Sequence, residues 1–198
     1  MTTRRSLELF GAVSNDAEVG TSRVSGEPAE ANDCFVVYRA ELDYLIGTLR
    51  RLGTPASDID DVLHEIFLVL LRRFQDYDRA RPLKPWLFGI AFWVASDHRR
   101  RNKRELLSDG YDMEDQGARP DDLVAAAQGR RLLLEALASV PLNRRAVLIM
   151  RDIDEVAMRE IARQLSIPLF TAYSRLRKAR RELDAALKQL LKEEPHVP

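Results

Sequence analysis

The chain has 198 residues, enough for one medium domain or two small ones, and 45% of them are apolar, which excludes disorder of the whole. No stretch approaches about 18 consecutive apolar residues, so membrane insertion is not expected. Lys+Arg and Asp+Glu both number 31, and a net charge of zero argues at first against a nucleic-acid partner.

The distribution of charge changes that reading. Residues 1–34 carry 3 basic and 6 acidic groups, residues 35–106 carry 13 and 10, residues 107–122 carry 1 and 6, and residues 123–198 carry 14 and 9. Exposed charges are screened beyond roughly 8 Å at physiological salt, so a DNA strand responds to the local patch.

Residues 1–33 lack periodicity and read as a flexible tail. Arg4 and Arg5, followed by Ser6-Leu7-Glu8-Leu9-Phe10, make too short and too charged a segment for an export signal. The single cysteine, Cys34, fits a reducing cytoplasm. Phe35, Tyr38, Leu42, Leu45, Ile46 and Leu49 recur at helical spacing, and Gly53 with Pro55 ends that helix. A second helix opens at Ser57 or Asp58, with an apolar stripe of Ile59, Leu63, Ile66, Leu70 and Phe74. A polar loop covers 75–84, and a third helix starts at Pro85 and runs to about Arg101. Residues 105–122 hold Gly110, Gly117, Pro120 and seven acids, the composition of a linker.

The helical signal returns at Leu123. One helix ends before Pro141, another covers 144–153 and a short one covers 156–165. After Ser166-Ile167-Pro168 comes a long helix to about Leu191, with the stripe Leu169, Ala172, Leu176, Ala179, Leu183, Leu187 and Leu190. Residues 192–198 form a tail. The expectation is an all-α protein of two small helical domains, 34–104 and 123–191.

The short helix, the three-residue turn and the long basic helix have helix-turn-helix proportions. At 100° per residue, Phe170, Thr171, Ser174, Lys178 and Arg181 lie opposite the leucine stripe, flanked by Arg175 and Arg177. Short hydroxyls near the helix start suit base edges, and the cations further on suit phosphates. The plain alternative is a solvated basic helix.

Two further clusters stand in the first domain. Arg99-Arg100-Arg101-Asn102-Lys103-Arg104 closes a helix carrying Trp86, Phe88, Phe92 and Trp93. Rings and cations together suit unstacked single-stranded bases. The alternative is that Trp86, Leu87, Ile90, Ala91 and Val94 pack the core, and a basic helix C-terminus is also favoured by the dipole. Asp58, Asp61 and Glu65 form an acidic row on the second helix, either a docking face for a basic partner or a solvated face. Asp61-x-x-His64 with Glu65 hints at a carboxylate-bridged metal site, but no other helix supplies a matching pair, and His98 and His196 stand apart. No metal, cofactor or catalytic residue is expected.

The run Asp58-Ile-Asp-Asp-Val-Leu-His-Glu-Ile-Phe-Leu, then Arg81-Pro-Leu-Lys-Pro-Trp-Leu-Phe-Gly-Ile-Ala, then Ser96-Asp-His-Arg-Arg-Arg, resembles sigma region two of the extracytoplasmic-function sigma factors. The run Val140-Pro-Leu-Asn-Arg-Arg-Ala-Val-Leu, then Glu160-Ile-Ala-Arg-Gln-Leu, then Thr171-Ala-Tyr-Ser-Arg-Leu-Arg-Lys-Ala-Arg, resembles their helix-turn-helix region four. The resemblance implies a sigma factor, not an enzyme, that binds core RNA polymerase and directs promoter recognition, melting and initiation. It implies docking on the beta-prime clamp helices and the beta subunit, with Asp58, Asp61, Glu65, Phe67 and Arg72 facing polymerase. It assigns Lys84, Trp93, Asp97, Arg100, Arg101 and Lys103 to minus-ten DNA. It assigns Phe170, Thr171, Ser174, Arg175, Arg177, Lys178 and Arg181 to duplex minus-thirty-five DNA. Members commonly have an anti-sigma factor partner.

Several residues depart from the family pattern. Trp93 stands where many members carry a polar base-contacting residue, and His64 replaces the usual Gln. Ser166 stands where a turn Gly is usual, and Pro168 where a Ser/Thr cap is usual. Phe170 and Tyr173 replace Gly and Lys at the reading end, which implies an unusual minus-thirty-five preference. The rivals are a conventional regulator, which would need a dimer interface or sensor domain, and a sigma-like decoy that binds an anti-sigma factor without initiating transcription.

Overall fold

The structure, a computed structural model, describes residues 28–109 and 124–193. Every regular element among the described residues is helical. The first bundle holds α1 (Pro28–Ala40), α2 (Leu42–Leu52), α3 (Ile59–Arg73) and α4 (Leu83–Asp109). The second holds α5 (Val124–Ser139), α6 (Leu142–Leu148), α7 (Met158–Gln164) and α8 (Leu169–Glu193).

Several boundaries differ from the sequence expectation. Helix begins at Pro28, inside the expected tail, and proline's fixed φ suits a first turn. The single helix expected over 35–49 is broken at Glu41, yet the ladder runs on, with Glu41 N–H donating to Val37 O at 3.1 Å and Leu45 N–H to Glu41 O at 3.0 Å. The third helix starts at Leu83 and continues through Glu105-Leu-Leu-Ser-Asp109, so the expected linker loses its first five residues to helix. The rest of that linker and most of both tails lie outside the described residues.

Gly53 ends α2 in the left-handed region at φ 81°, and Thr54 N–H closes back on Leu49 O at 3.0 Å. In α3, Ile59, Leu63, Ile66 and Leu70 are buried as the stripe requires, and Phe74 is half-buried against the core. In α4, Leu87, Ile90, Ala91 and Val94 are buried, with Trp86 and Trp93 partly covered. The second bundle buries Val147, Ile149, Met150, Ile161, Leu165, Ala172, Leu176 and Ala179. After α6 the chain widens, with Asp154 N–H reaching Ile149 O at 3.0 Å. Ser166, in the turn between α7 and α8, sits at φ 51°, where a glycine would carry no strain.

The two bundles share one continuous core, with α2 packed on α5 and α6, and α4 packed on α7. Gly89 is buried under Gln164, whose side-chain oxygen and backbone oxygen would lie 3.2 and 3.3 Å from an added Cβ. Arg145 is 2% exposed and sits at the junction. It donates Nε–H to Val140 O at 3.0 Å, Nη1–H to Leu52 O at 2.8 Å and Nη2–H to Ala138 O at 2.5 Å. Those carbonyls lie at the C-terminal ends of α2 and α5, where helix dipoles favour a cation. Gly53 is constrained from two sides, because a Cβ there would collide with Arg145 Nη1. Beside this clamp, Tyr44 O–H donates to Asp154 Oδ2 at 2.8 Å, and Arg51 lies 3.9 Å from the same carboxylate.

Candidate polymerase and nucleic-acid interfaces

The acidic row on α3 is three different residues in three different settings. Asp58 accepts hydrogen bonds from Ser57 Oγ at 2.7 Å and Asn102 Nδ2 at 3.1 Å, and His98 Nε2 lies 3.0 Å away. Burial alone would raise its carboxyl pKa. The bonds from Ser57, His98 and Asn102, together with the His98 charge, hold it below the ordinary value. Both Glu65 oxygens accept from Arg101 Nη2, at 2.7 and 2.6 Å. Asp61 is exposed, and no ion pair holds it among the described residues. Two acids of the row therefore join α3 to α4, and one faces solvent.

About two turns beyond Asp61 on the same helix the surface becomes apolar. Leu68 lies on the same helical face, between Asp61 and the exposed Arg72, and Leu71 flanks it. Phe67 is half-buried. Its ring stacks edge-on with Phe35 at 6.3 Å and tilted on Tyr38 at 5.0 Å. Phe35 and Val36 remain exposed on α1 beside it. The signal was available in the spacing of Phe67 and Leu68, four and three residues before Leu71, all of which lie off the core stripe.

The basic end of α4 is similarly occupied. Asp97 binds Arg100 and lies 3.8 Å from Arg101 Nε. Arg99 donates to Gly53 O at 3.2 Å. Lys103 is exposed. Trp93 is half-buried and meets Phe92 edge-on at 5.4 Å, so much of its ring belongs to the core. Lys84 lies at the opposite end of the same helix, roughly 24 Å from Arg100 along the axis. It sits 5.4 Å over the Tyr44 ring, at the junction between bundles. The structure does not bring Lys84 to the other residues of its expected group.

The face of α8 differs. Ala172, Leu176 and Ala179 are buried, and the side turned away from them carries Phe170, Arg177, Lys178 and Arg181, all exposed. Thr171, Ser174 and Arg175 are half-buried, and burial lowers the Arg175 pKa from its ordinary value. Phe170 is 82% exposed and Tyr173 55%. Arg180, outside the expected set, forks onto Asp152 at 2.9 and 2.7 Å and braces α8 on the turn after α6.

An all-helical body with a basic helix-turn-helix at one end and a mixed acidic and apolar face at the other defines a class: DNA-binding factors that also dock on a protein. Comparison with known proteins is specific. Residues 37–105 match Sigma-70 region 2, and residues 130–183 match Sigma-70, region 4. The RNA polymerase sigma factor NccH of Alcaligenes xylosoxydans xylosoxydans is 28% identical over 144 residues, spanning 70% of this chain and 77% of its own. The ECF RNA polymerase sigma-E factor of Escherichia coli K12 is 25% identical over 185 residues, spanning 87% and 97%. Two solved folds are similar. The sigma factor RpoE of Bartonella quintana, in complex with the anti-sigma factor NepR, has a TM-score of 0.62 and 20% identity over 79% of this chain and 95% of its own. CnrH, in complex with the cytosolic domain of CnrY, has a TM-score of 0.57 and 22% identity over 83% and 92%.

The chain belongs to the sigma-70 family, as an extracytoplasmic-function sigma factor that binds core RNA polymerase and directs it to promoters. Sigma factors are generally non-enzymatic initiation factors. No helix among the described residues is long and apolar enough to cross a membrane.

Proposed function

We propose that the chain works in the cytoplasm without catalysing a reaction itself, and that its three surfaces divide the labour of initiation. The module at 34–104 docks on the beta-prime clamp helices through Asp61, Phe67 and Arg72, with the apolar Leu68 and Leu71 beside them. Asp58 and Glu65 act behind that face, by fixing α3 against α4. The end of α4 presents Arg100, Arg101 and Lys103 to the melted minus-ten strand, with Asp97 orienting the arginines and the Trp93 ring edge at the rim. Lys84 serves at the junction until the bundles part. The module at 123–191 reads the minus-thirty-five duplex with Phe170, Thr171, Ser174, Arg175, Arg177, Lys178 and Arg181. An anti-sigma factor that holds the closed form would complete the cycle; the fold neighbours RpoE and CnrH are both seen in complexes of this kind or with a cytosolic partner domain.

The observation that carries this reading is the solvent face of α8, where Arg177, Lys178 and Arg181 stand exposed opposite a buried small-residue stripe. The shared core adds a requirement. Elements about 25 base pairs apart lie roughly 85 Å apart along a duplex. A packed body of about 150 residues is only about 40 Å across. The bundles therefore separate when both elements are held, and the two grips then gain through effective concentration.

Reconstituted run-off transcription tests this. The full chain added to core polymerase should start RNA at defined sites on genomic fragments. Tight core binding with silence on every fragment would point instead to a sigma-like decoy.

A further inference from the structure

The geometry points to Phe170 and Tyr173 as readers of thymine 5-methyl groups in the upstream promoter duplex. This rests on the assignment of α8 to duplex reading and goes beyond it by naming the chemical feature that is read.

Phe170 is the most exposed large apolar side chain among the described residues, at 82%, and Tyr173 follows three residues later at 55%. Residues at i and i+3 are neighbours on a helix, so the two rings form one exposed pair in the first turns of α8. Phe170 lies near the middle of the solvent face, since the buried Ala172, Leu176, Ala179 and half-buried Leu183 point the other way. Arg177 and Arg181 follow on that face about 10 and 16 Å further along the axis, at distances that suit the phosphate wall. No acid pairs with Arg177, Lys178 or Arg181 among the described residues. The rings are thus held where a recognition helix offers its first residues to base edges, and the cations behind them can seat the helix in the groove.

Chemistry then selects the base. In the major groove guanine shows two acceptors, adenine an acceptor and a donor, and cytosine a donor, whereas thymine adds a methyl group. A phenyl ring cannot hydrogen-bond, so pressing it on the first three leaves polar atoms desolvated and unpaired. On thymine it buries a methyl group. The Tyr173 hydroxyl gives the second ring a polar tip, which can stay in water or reach a phosphate.

The test uses holoenzyme, reconstituted from core polymerase and the full chain. Promoter duplexes are selected from a pool randomised upstream of a genomic start site found by run-off transcription. Each enriched thymine is then replaced by deoxyuridine, which removes only the methyl. Loss of one buried methyl-sized group corresponds to roughly fourfold weaker binding. Such a loss is expected at one or two adjacent positions, with recovery when 5-methylcytosine is placed there in a C·G pair. Phe170→Ala with Tyr173→Ala should bind thymine and deoxyuridine duplexes equally while keeping its salt dependence; both positions are exposed, so truncation leaves the core intact. The proposal is overturned if wild-type holoenzyme does not distinguish thymine from deoxyuridine, or if the double variant still does. Selection that returns no upstream sequence preference at all would overturn the duplex-reading assignment along with it.

Discussion

The two bundles use charge in opposite ways. In the first, the expected functional charges are largely tied to one another: Asp58 to His98 and Asn102, Glu65 to Arg101, and Asp97 to Arg100. In the second, Arg177, Lys178 and Arg181 of the reading face are exposed and no acid pairs with them among the described residues, and Arg180, which does have a partner, points toward Asp152. A cation already paired has less to gain from a phosphate, whereas a lone exposed cation meets one at little cost. The first bundle is therefore preset in shape and the second is preset in field. What joins them is a third arrangement, a buried guanidinium held by carbonyls of two helix ends.

Removing that guanidinium gives the largest expected effect. Arg145→Met keeps the length of the side chain but strips charged donors from Leu52 O, Val140 O and Ala138 O. A cost of about 3–5 kcal/mol is expected, the range for breaking a buried, hydrogen-bonded charge arrangement. Urea unfolding should show a lower midpoint, and small-angle scattering should show a larger radius of gyration as the bundles lose their clamp. An unchanged midpoint with an unchanged radius would show that the shared apolar core alone sets the junction.

The next prediction sharpens the contrast within α3. Asp61→Lys should weaken core-polymerase binding about tenfold with little change in stability, because Asp61 is exposed. Glu65→Lys should do something different. It sets a second cation against Arg101 and loosens α3 from α4, so the unfolding midpoint falls and minus-ten melting suffers, as permanganate footprinting of the promoter would read. Equal stability of the two variants would contradict the division between a docking acid and a bracing acid.

These distinctions bear on what could be read from sequence. Helical stripes were legible because their spacing is local: Ile59, Leu63, Ile66 and Leu70 are buried as counted, and so are Ala172, Leu176 and Ala179. The reading face of α8 was legible for the same reason, as the complement of its stripe. The break at Glu41 was not, since the hydrogen-bond ladder hardly notices it. The tethers of Glu65 and Asp58 were hidden because their partners lie 36 to 44 residues away. Arg145 was hidden by its own type, since arginine is mostly a surface residue. One trace of the junction did stand in the sequence. Gly89 interrupts an apolar helix, where glycine costs about 1 kcal/mol unless something must approach closely. Here that something is Gln164.

The smallest effect is the most diagnostic of whether the junction persists in solution. Two carboxylates are shifted in opposite directions. Asp58 is held below its ordinary value of 3.8. Asp154 is raised above the same value, because burial outweighs the Tyr44 hydrogen bond and the charges of Arg51 and Lys84. A lowered pKa means that folding favours the ionised form, so the Asp58 contribution is complete above the ordinary value and is lost as pH falls through the folded one. A raised pKa means the reverse: the Asp154 contribution is present below the ordinary value and is lost as pH rises through the folded one. Asp58→Asn should therefore cost more stability at about pH 6 than at about pH 3, and Asp154→Asn less at about pH 6 than at about pH 3, by denaturant titration. The Asn side chain still accepts from Tyr44, so the second comparison isolates the charge. Asp154 is desolvated only while the bundles touch. Were the Asp154→Asn profile flat while the Asp58→Asn profile kept its slope, the junction would be open in the free factor, and the clamp at Arg145 would close only when a partner holds it.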